Sequence, residues 1–330
     1  MITKRILIAI VLLTGAVSAA AQTPTATPTA KISDKLATIA DATGQNSDIP
    51  REKREQAYAK LLEGQRYLLQ SNPTRGSYSS ANARSAKAAF QRSVELDPTL
   101  AEGYTALAEL ALSTPPGDVD EAIDLAKIAV KVDPDNYGGH RILARLYTYR
   151  SKLRNGSLDP ESSAKAVAEW EEMTRLDPRN AEAWAFLSEF YSEAGKSDEE
   201  LKALQRWVAS ATPLETGFYR QIMGRDEALT AENASLKLAA AYLKSDHATD
   251  AISVLAELIS DDPDSDDALN LLREAVEDAT PDSSEKAISA LQQAVYANPG
   301  NSSLVTLLAQ VQARTGRIGD AAKLLTATSA

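Results

Sequence analysis

The chain has 330 residues, 44% of them hydrophobic and 5% aromatic, with a formal charge of −11 and no cysteine. That length does not limit core burial, and the missing thiols exclude disulfides, thiolate metal sites, a Cys nucleophile and a Cys-anchored lipoprotein. An acidic chain without a basic cluster repels phosphate backbones, which argues against nucleic acid as a partner.

At the N-terminus, Lys4 and Arg5 precede an apolar run from Ile6 to Leu13 that continues to Val17, and Ala19-Ala20-Ala21 follows. A basic start, a short apolar stretch and a small-residue exit read as a secretory signal peptide, residues 1–21, cut before Gln22. The run is shorter than the ~20 residues that span a bilayer. Its removal takes two positive charges and leaves −13. An exported protein, periplasmic or secreted, is therefore expected, with no membrane span in its mature form. Residues 22–30, QTPTATPTA, are low in complexity and open a flexible linker over 22–50. Within it one short helix is expected at Ser33–Asp41, followed by a turn at Gly44, with the folded body beginning near Arg51.

From there the pattern is helical. Ala, Leu, Glu, Lys, Arg and Gln dominate, and no stretch alternates as a strand would. Pro98, Pro134, Pro178, Pro213, Pro263 and Pro299 each follow an amphipathic segment, at intervals of 36, 44, 35, 50 and 36 residues. Asp precedes four of them. Proline cannot continue a helix and moves its predecessor out of the α region, so each marks a helix end. A period in this range is the mark of stacked supersecondary units.

Between the prolines two helical patterns recur. From Ala101 they place Tyr104, Leu107, Ala108, Ala122, Ala129 and Pro134; from Tyr137, Leu143, Ala144, Tyr147, Ala166, Trp170 and Pro178. The stretch from Ala181 gives Trp184, Leu187, Ser188, Tyr191 and Gly195, and that from Glu232 gives Leu238, Ala239, Tyr242, Ala251, Leu255 and Pro263. In this order of large and small residues the sequence resembles the tetratricopeptide repeat family, whose unit has 34 residues. The resemblance implies an all-α, right-handed α-solenoid of about seven helix-turn-helix repeats. The units run about 57–100, 101–136, 137–180, 181–213, 232–265, 266–301 and 302–330, with an irregular segment at 214–231. Small side chains let the helices of a unit approach and large ones fill the space between units, so Trp170, Trp184 and Trp207 are expected in the core. The last unit leaves apolar surface at Leu324-Leu325, which either a continuation of the chain or a partner would cover.

No constellation for catalysis is legible. His140 and His247 have no companions at ligand spacing, and His140 falls at a bulky packing position. Asp262, Asp264 and Asp266 are spaced like a calcium loop, but Asp267 stands where Gly is needed and Arg273 where Glu is needed. Helix capping is the better reading of these carboxylates. No enzyme, metal or cofactor is expected.

The resemblance implies a concave face lined by the first helix of each unit, where peptides bind. Carried onto this sequence, the candidate contacts are Glu102, Glu109, Arg141, Arg145, Glu182, Glu189, Leu236 and Leu243. Arg141 and Arg145, one turn apart, either grip a carboxylate or neutralise their acidic neighbours. Lys and Asn, which the family's chaperone-tail clamp uses, are missing from these positions. The expected function is an exported scaffold or adaptor for protein or peptide partners. The alternative is the repeat arm of a larger envelope or exopolysaccharide export machine continuing beyond residue 330.

Overall fold

The computed structural model describes residues 31–43, 49–70, 80–114, 117–151, 159–210, 230–277 and 280–328. The expected signal peptide, the segment 22–30 and nearly all of the irregular segment 214–231 lie outside them. The described residues form α-helices without a strand.

The helices are α1 (Ile32–Thr43), α2 (Arg51–Gln70), α3 (Ser80–Leu96), α4 (Ala101–Ser113), α5 (Val119–Val132), α6 (Tyr137–Ser151) and α7 (Pro160–Leu176). After these come α8 (Ala181–Glu193), α9 (Ser197–Ser210), α10 (Ala231–Lys244), α11 (Ala248–Asp261), α12 (Asp266–Glu277), α13 (Pro281–Ala297), α14 (Ser302–Arg314) and α15 (Ile318–Thr328). They divide into two compact bodies between Pro178 and Arg179. In the first, α2 packs on α3, α4 on α5 and α6 on α7; in the second, α8 packs on α9, α10 on α11 and α14 on α15. The all-α reading, as consecutive helix pairs, holds. One pair departs from the pattern: α13 packs mainly on α11 and only lightly on its own partner α12.

Pro98, Pro134, Pro178, Pro263 and Pro299 end helices as expected, Pro213 lies outside the described residues, and the mechanism is local. Asp97, Asp133 and Asp262 each cap a helix and precede Pro, and each accepts a hydrogen bond on Oδ1 from the backbone N–H two residues on. The next N–H closes a turn onto the same residue's carbonyl, at 3.1, 3.0 and 3.3 Å. Proline at the second turn position supplies the required φ and needs no donor. Asn136 and Asn180 then take the N–H groups of Gly139 and Ala183 at 2.7 Å, opening the next helix. At the aspartate-rich turn the cap is Ser265, which accepts from Ala268 at 3.4 Å, while Asp266 and Asp267 occupy the first turn of α12. Inside the last pair and the α8–α9 pair, Gly195 and Gly316 bend the chain with φ of 69° and 83°. Asp246 holds the same place between α10 and α11 at φ 60°.

Small residues set the approach within pairs. A Cβ on Gly64 would lie 2.3 Å from the ring of Phe90. Trp170 is fully buried and its indole N–H donates to Thr148 Oγ1 at 2.9 Å. In the second body Trp207 is buried with Leu204, Ala234 and Leu238, and Trp184 packs against the same cluster. A larger cluster joins Ile252, Leu255, Leu272, Leu291 and Leu308. Each such side chain contributes about 1.5–3 kcal/mol by leaving water.

The expected linker 22–50 needs correction at its distal end. The helix anticipated at Ser33–Asp41 forms as α1, but it is docked on α5 and α3 rather than carried on a tether. Leu36 and Ile49 are buried, and Ser33 donates from N–H and Oγ to the two oxygens of Glu121, at 2.9 and 2.8 Å. Packed structure thus begins at α1, before Arg51.

Candidate functional site

In the first body the first helices α4 and α6 of adjacent pairs touch. Glu102 is exposed in the first turn of α4, and its charge, with burial and Asp97, holds the Tyr58 phenol above its usual value. Glu109 lies two turns further on. Solvent reaches it, yet protein crowds its carboxyl: burial pushes it above the ordinary carboxylate range, while the charges of Arg141 and Arg145 pull the other way. Both arginines are half-buried and engaged. The structure therefore brings Glu109, Arg141 and Arg145 together, as a self-neutralising group rather than a bare cationic clamp.

His140, also on α6, is buried. Its Nδ1 lies 2.7 Å from Glu169 Oε2 and its Nε2 2.9 Å from the Pro134 carbonyl oxygen. A carboxylate and a carbonyl oxygen both accept, so the doubly protonated ring is the form that satisfies both contacts. Burial pulls its pKa down, but the Glu169 and Pro134 bonds and the charges of Glu169 and Glu172 outweigh it and leave it raised. His247 is exposed at the N-cap of α11, edge-on to Tyr242 at 6.2 Å. Among the described residues no group of His, Asp and Glu gathers in a metal-holding arrangement.

The second body places the other four expected contacts differently. Glu182 is fully buried in the first turn of α8, where free N–H groups and the helix dipole favour a carboxylate, and it is engaged there. It offers nothing to a ligand. Leu236 and Leu243, expected as an apolar binding surface, pack against the core cluster of α11 to α14. They serve the interior because α10 turns that flank toward its neighbours.

Glu189 alone of the four lines an opening. Its Oε1 accepts from Lys237 Nζ at 2.9 Å, and the same ammonium stands 5.6 Å from the centroid of the Trp207 ring. Beside it Lys244 Nζ lies 3.4 Å from Glu200 Oε2. Glu200 is buried on α9, whereas the Lys244 side chain is 57% exposed. These four charges surround a cavity of about 280 Å³ formed by α8, α9 and α10, with Ser188, Ser192, Leu204, Ala240 and Ala241 as its remaining walls. Two cations, two anions and a small apolar floor can receive a charged segment: the exposed Lys244 head can meet it while remaining the partner of buried Glu200, whose carboxylate would be costly to leave unpaired. Sequence reasoning missed Lys237, Lys244 and Glu200. The available signal was the seven-residue spacing of the two lysines, two helical turns on one face, each directly after an expected contact.

Residues 161–214 match the family model described as tetratricopeptide repeat, a stretch that holds α8, α9 and all but the first residue of α7. That stretch thus carries tetratricopeptide repeat sequence. No curated protein matches it. Among solved structures it is similar to YrrB, described as a TPR protein with an unusual peptide-binding site, at 17% identity over 66% of this chain and 97% of that one, TM-score 0.42. A tetratricopeptide repeat protein from Parabacteroides merdae is similar at 12% identity over 83% and 93%, TM-score 0.41. PilF of Pseudomonas aeruginosa is similar at 16% identity over 80% and 100%, TM-score 0.40.

Proposed function

We propose that this chain is an exported, non-catalytic scaffold that holds a segment of a partner protein at the α8–α10 cavity. Repeated helix pairs are a binding architecture in general, and the partner must be argued from the site. The observation that carries the reading is the four-charge ring around that cavity. Lys244 is its most accessible cation and has the longest contact, so an acidic side chain or a chain terminus of the partner would engage it first. Glu189 and Lys237 then fix orientation, with Trp207 backing the ammonium as a cation–π partner. Export rests on the basic start, apolar run and Ala19-Ala20-Ala21 exit of the sequence.

Two measurements test this. N-terminal sequencing of the protein recovered from the exported fraction should begin at Gln22. Crosslinking with mass spectrometry on that fraction should map partner crosslinks to α8–α10, and Lys244→Glu should reduce them about tenfold, the effect expected of a reversed charge at a hydrogen-bonded contact. Crosslinks that fall elsewhere, or that Lys244→Glu leaves unchanged, would refute the site.

A further inference from the structure

The docking of α1 shows what the surface between successive second helices can hold. α1 lies on α3 and α5, two second helices, and is fastened at several points, Lys131–Asp41 among them. Ser33 gives its N–H and hydroxyl to Glu121, the third residue of α5; Leu36 is buried; Lys35 pairs with Glu95 at 2.8 Å; Lys31 pairs with Asp124 at 3.2 Å.

The second body has corresponding positions on α13 and α15. Asp320 is the third residue of α15, as Glu121 is of α5, and Tyr296 precedes the cap of α13 by two residues, as Glu95 does that of α3. Lys323 stands where Asp124 stands. Among the described residues, Tyr296, Asp320 and Lys323 are exposed to solvent here. A cavity of about 460 Å³ lies between α13, α14 and α15, walled by Val295 and Leu324, and Tyr296 is 91% exposed at its edge. Gln312, 5% exposed, lines it, and its amide oxygen has no hydrogen-bond partner among the described residues. A buried acceptor left unpaired is costly, and a ligand N–H or O–H would satisfy it.

We infer that the α13–α15 surface docks an amphipathic helix of a partner protein in the manner of α1. Its first turn presents Ser or Thr to Asp320, and a Leu three residues later enters the cavity. The charges specify the rest. Where α1 carries Lys31, the partner carries an acidic residue to meet Lys323. Where α1 carries Lys35, it carries an apolar residue or a cation that stacks on Tyr296. α1 of a second copy is disfavoured because Lys31 would face Lys323. This surface lies on other helices than the α8–α10 cavity, and the inference does not rest on that site.

The test uses the full chain and two labelled synthetic peptides. One is residues 31–43; the other is the same peptide with Lys31→Glu and Lys35→Leu. Fluorescence anisotropy should show saturable binding of the altered peptide, about tenfold tighter than the native one. Asp320→Asn should weaken it about tenfold, and Lys323→Glu should reverse the preference between peptides. Asp320, Lys323 and Tyr296 are exposed, so these variants keep the fold. Glu121→Gln, in the first body, should leave the altered peptide's affinity unchanged. No saturable binding, or affinity indifferent to Asp320→Asn and Lys323→Glu, overturns the inference. Tighter binding of the native peptide also overturns it and assigns the surface to a second copy.

Discussion

His140 couples two helices through one proton. With Glu169 and the Pro134 carbonyl both accepting, the ring must carry two protons to satisfy both, and its pKa is raised for that reason. A group whose folded pKa exceeds its unfolded value contributes stability fully below the unfolded value, about 6.5, and loses it as pH rises through the folded value. Denaturation followed by circular dichroism should therefore give a midpoint that falls as pH rises above about 6.5. His140→Gln should lower the midpoint at pH 6 and flatten the fall. An equal slope in that variant would show that other groups set the pH dependence. The packing position of His140 was legible from the repeat spacing. Its charge was not, because Glu169 lies on the next helix and no periodicity announces a partner 29 residues away.

At the scale of the element, α1 is the informative case. Its one fully buried apolar side chain, Leu36, contributes about 1.5–3 kcal/mol. The Ser33–Glu121 bonds contribute about 1.5–3 kcal/mol as hydrogen bonds to a charged group. The pairs Lys31–Asp124 and Lys35–Glu95, with Lys131–Asp41, lie at the surface, where solvent screens them. α1 rests on α5 and α3 through few contacts, and removing its plug should free it. Leu36→Ala is expected to abolish hydrogen-exchange protection across Ile32–Thr43 while α2 to α7 keep theirs. Unchanged protection in α1 would mean that its polar ties, the Glu121 bonds and the ion pairs, hold it without the leucine. The sequence signalled a helix here but not its docking, since Glu121 is 88 residues from Ser33 and a single leucine makes no stripe. The Asp-Pro turns were legible throughout because their hydrogen bonds close within four residues. The α8–α10 cavity was not, because its charges come from three helices, and the expected contacts Glu182, Leu236 and Leu243 are drawn into packing instead.

At the scale of the molecule, stacked units respond to damage locally. Stability in such chains approximates a sum over units and their nearest-neighbour interfaces. The two bodies, dividing at Pro178, each have their own buried residues. Leu255 is fully buried in the cluster shared by α11, α12, α13 and α14. Truncating it to alanine removes its transfer energy and leaves a cavity, at a cost of about 2–5 kcal/mol. Because α13 packs mainly on α11, the loss should reach α13 as readily as α10 and α12. Hydrogen exchange on Leu255→Ala should accordingly show reduced protection in α10 to α14, with α2 to α7 as protected as in the unaltered chain. If protection fell equally in both bodies, the chain would unfold as one cooperative unit, and a ligand on either body would stabilise the other. If it fell only in α10 to α14, binding at α8–α10 and at α13–α15 would tune the second body alone. The first body, with α1 and the His140 proton, would then answer to pH and not to those ligands.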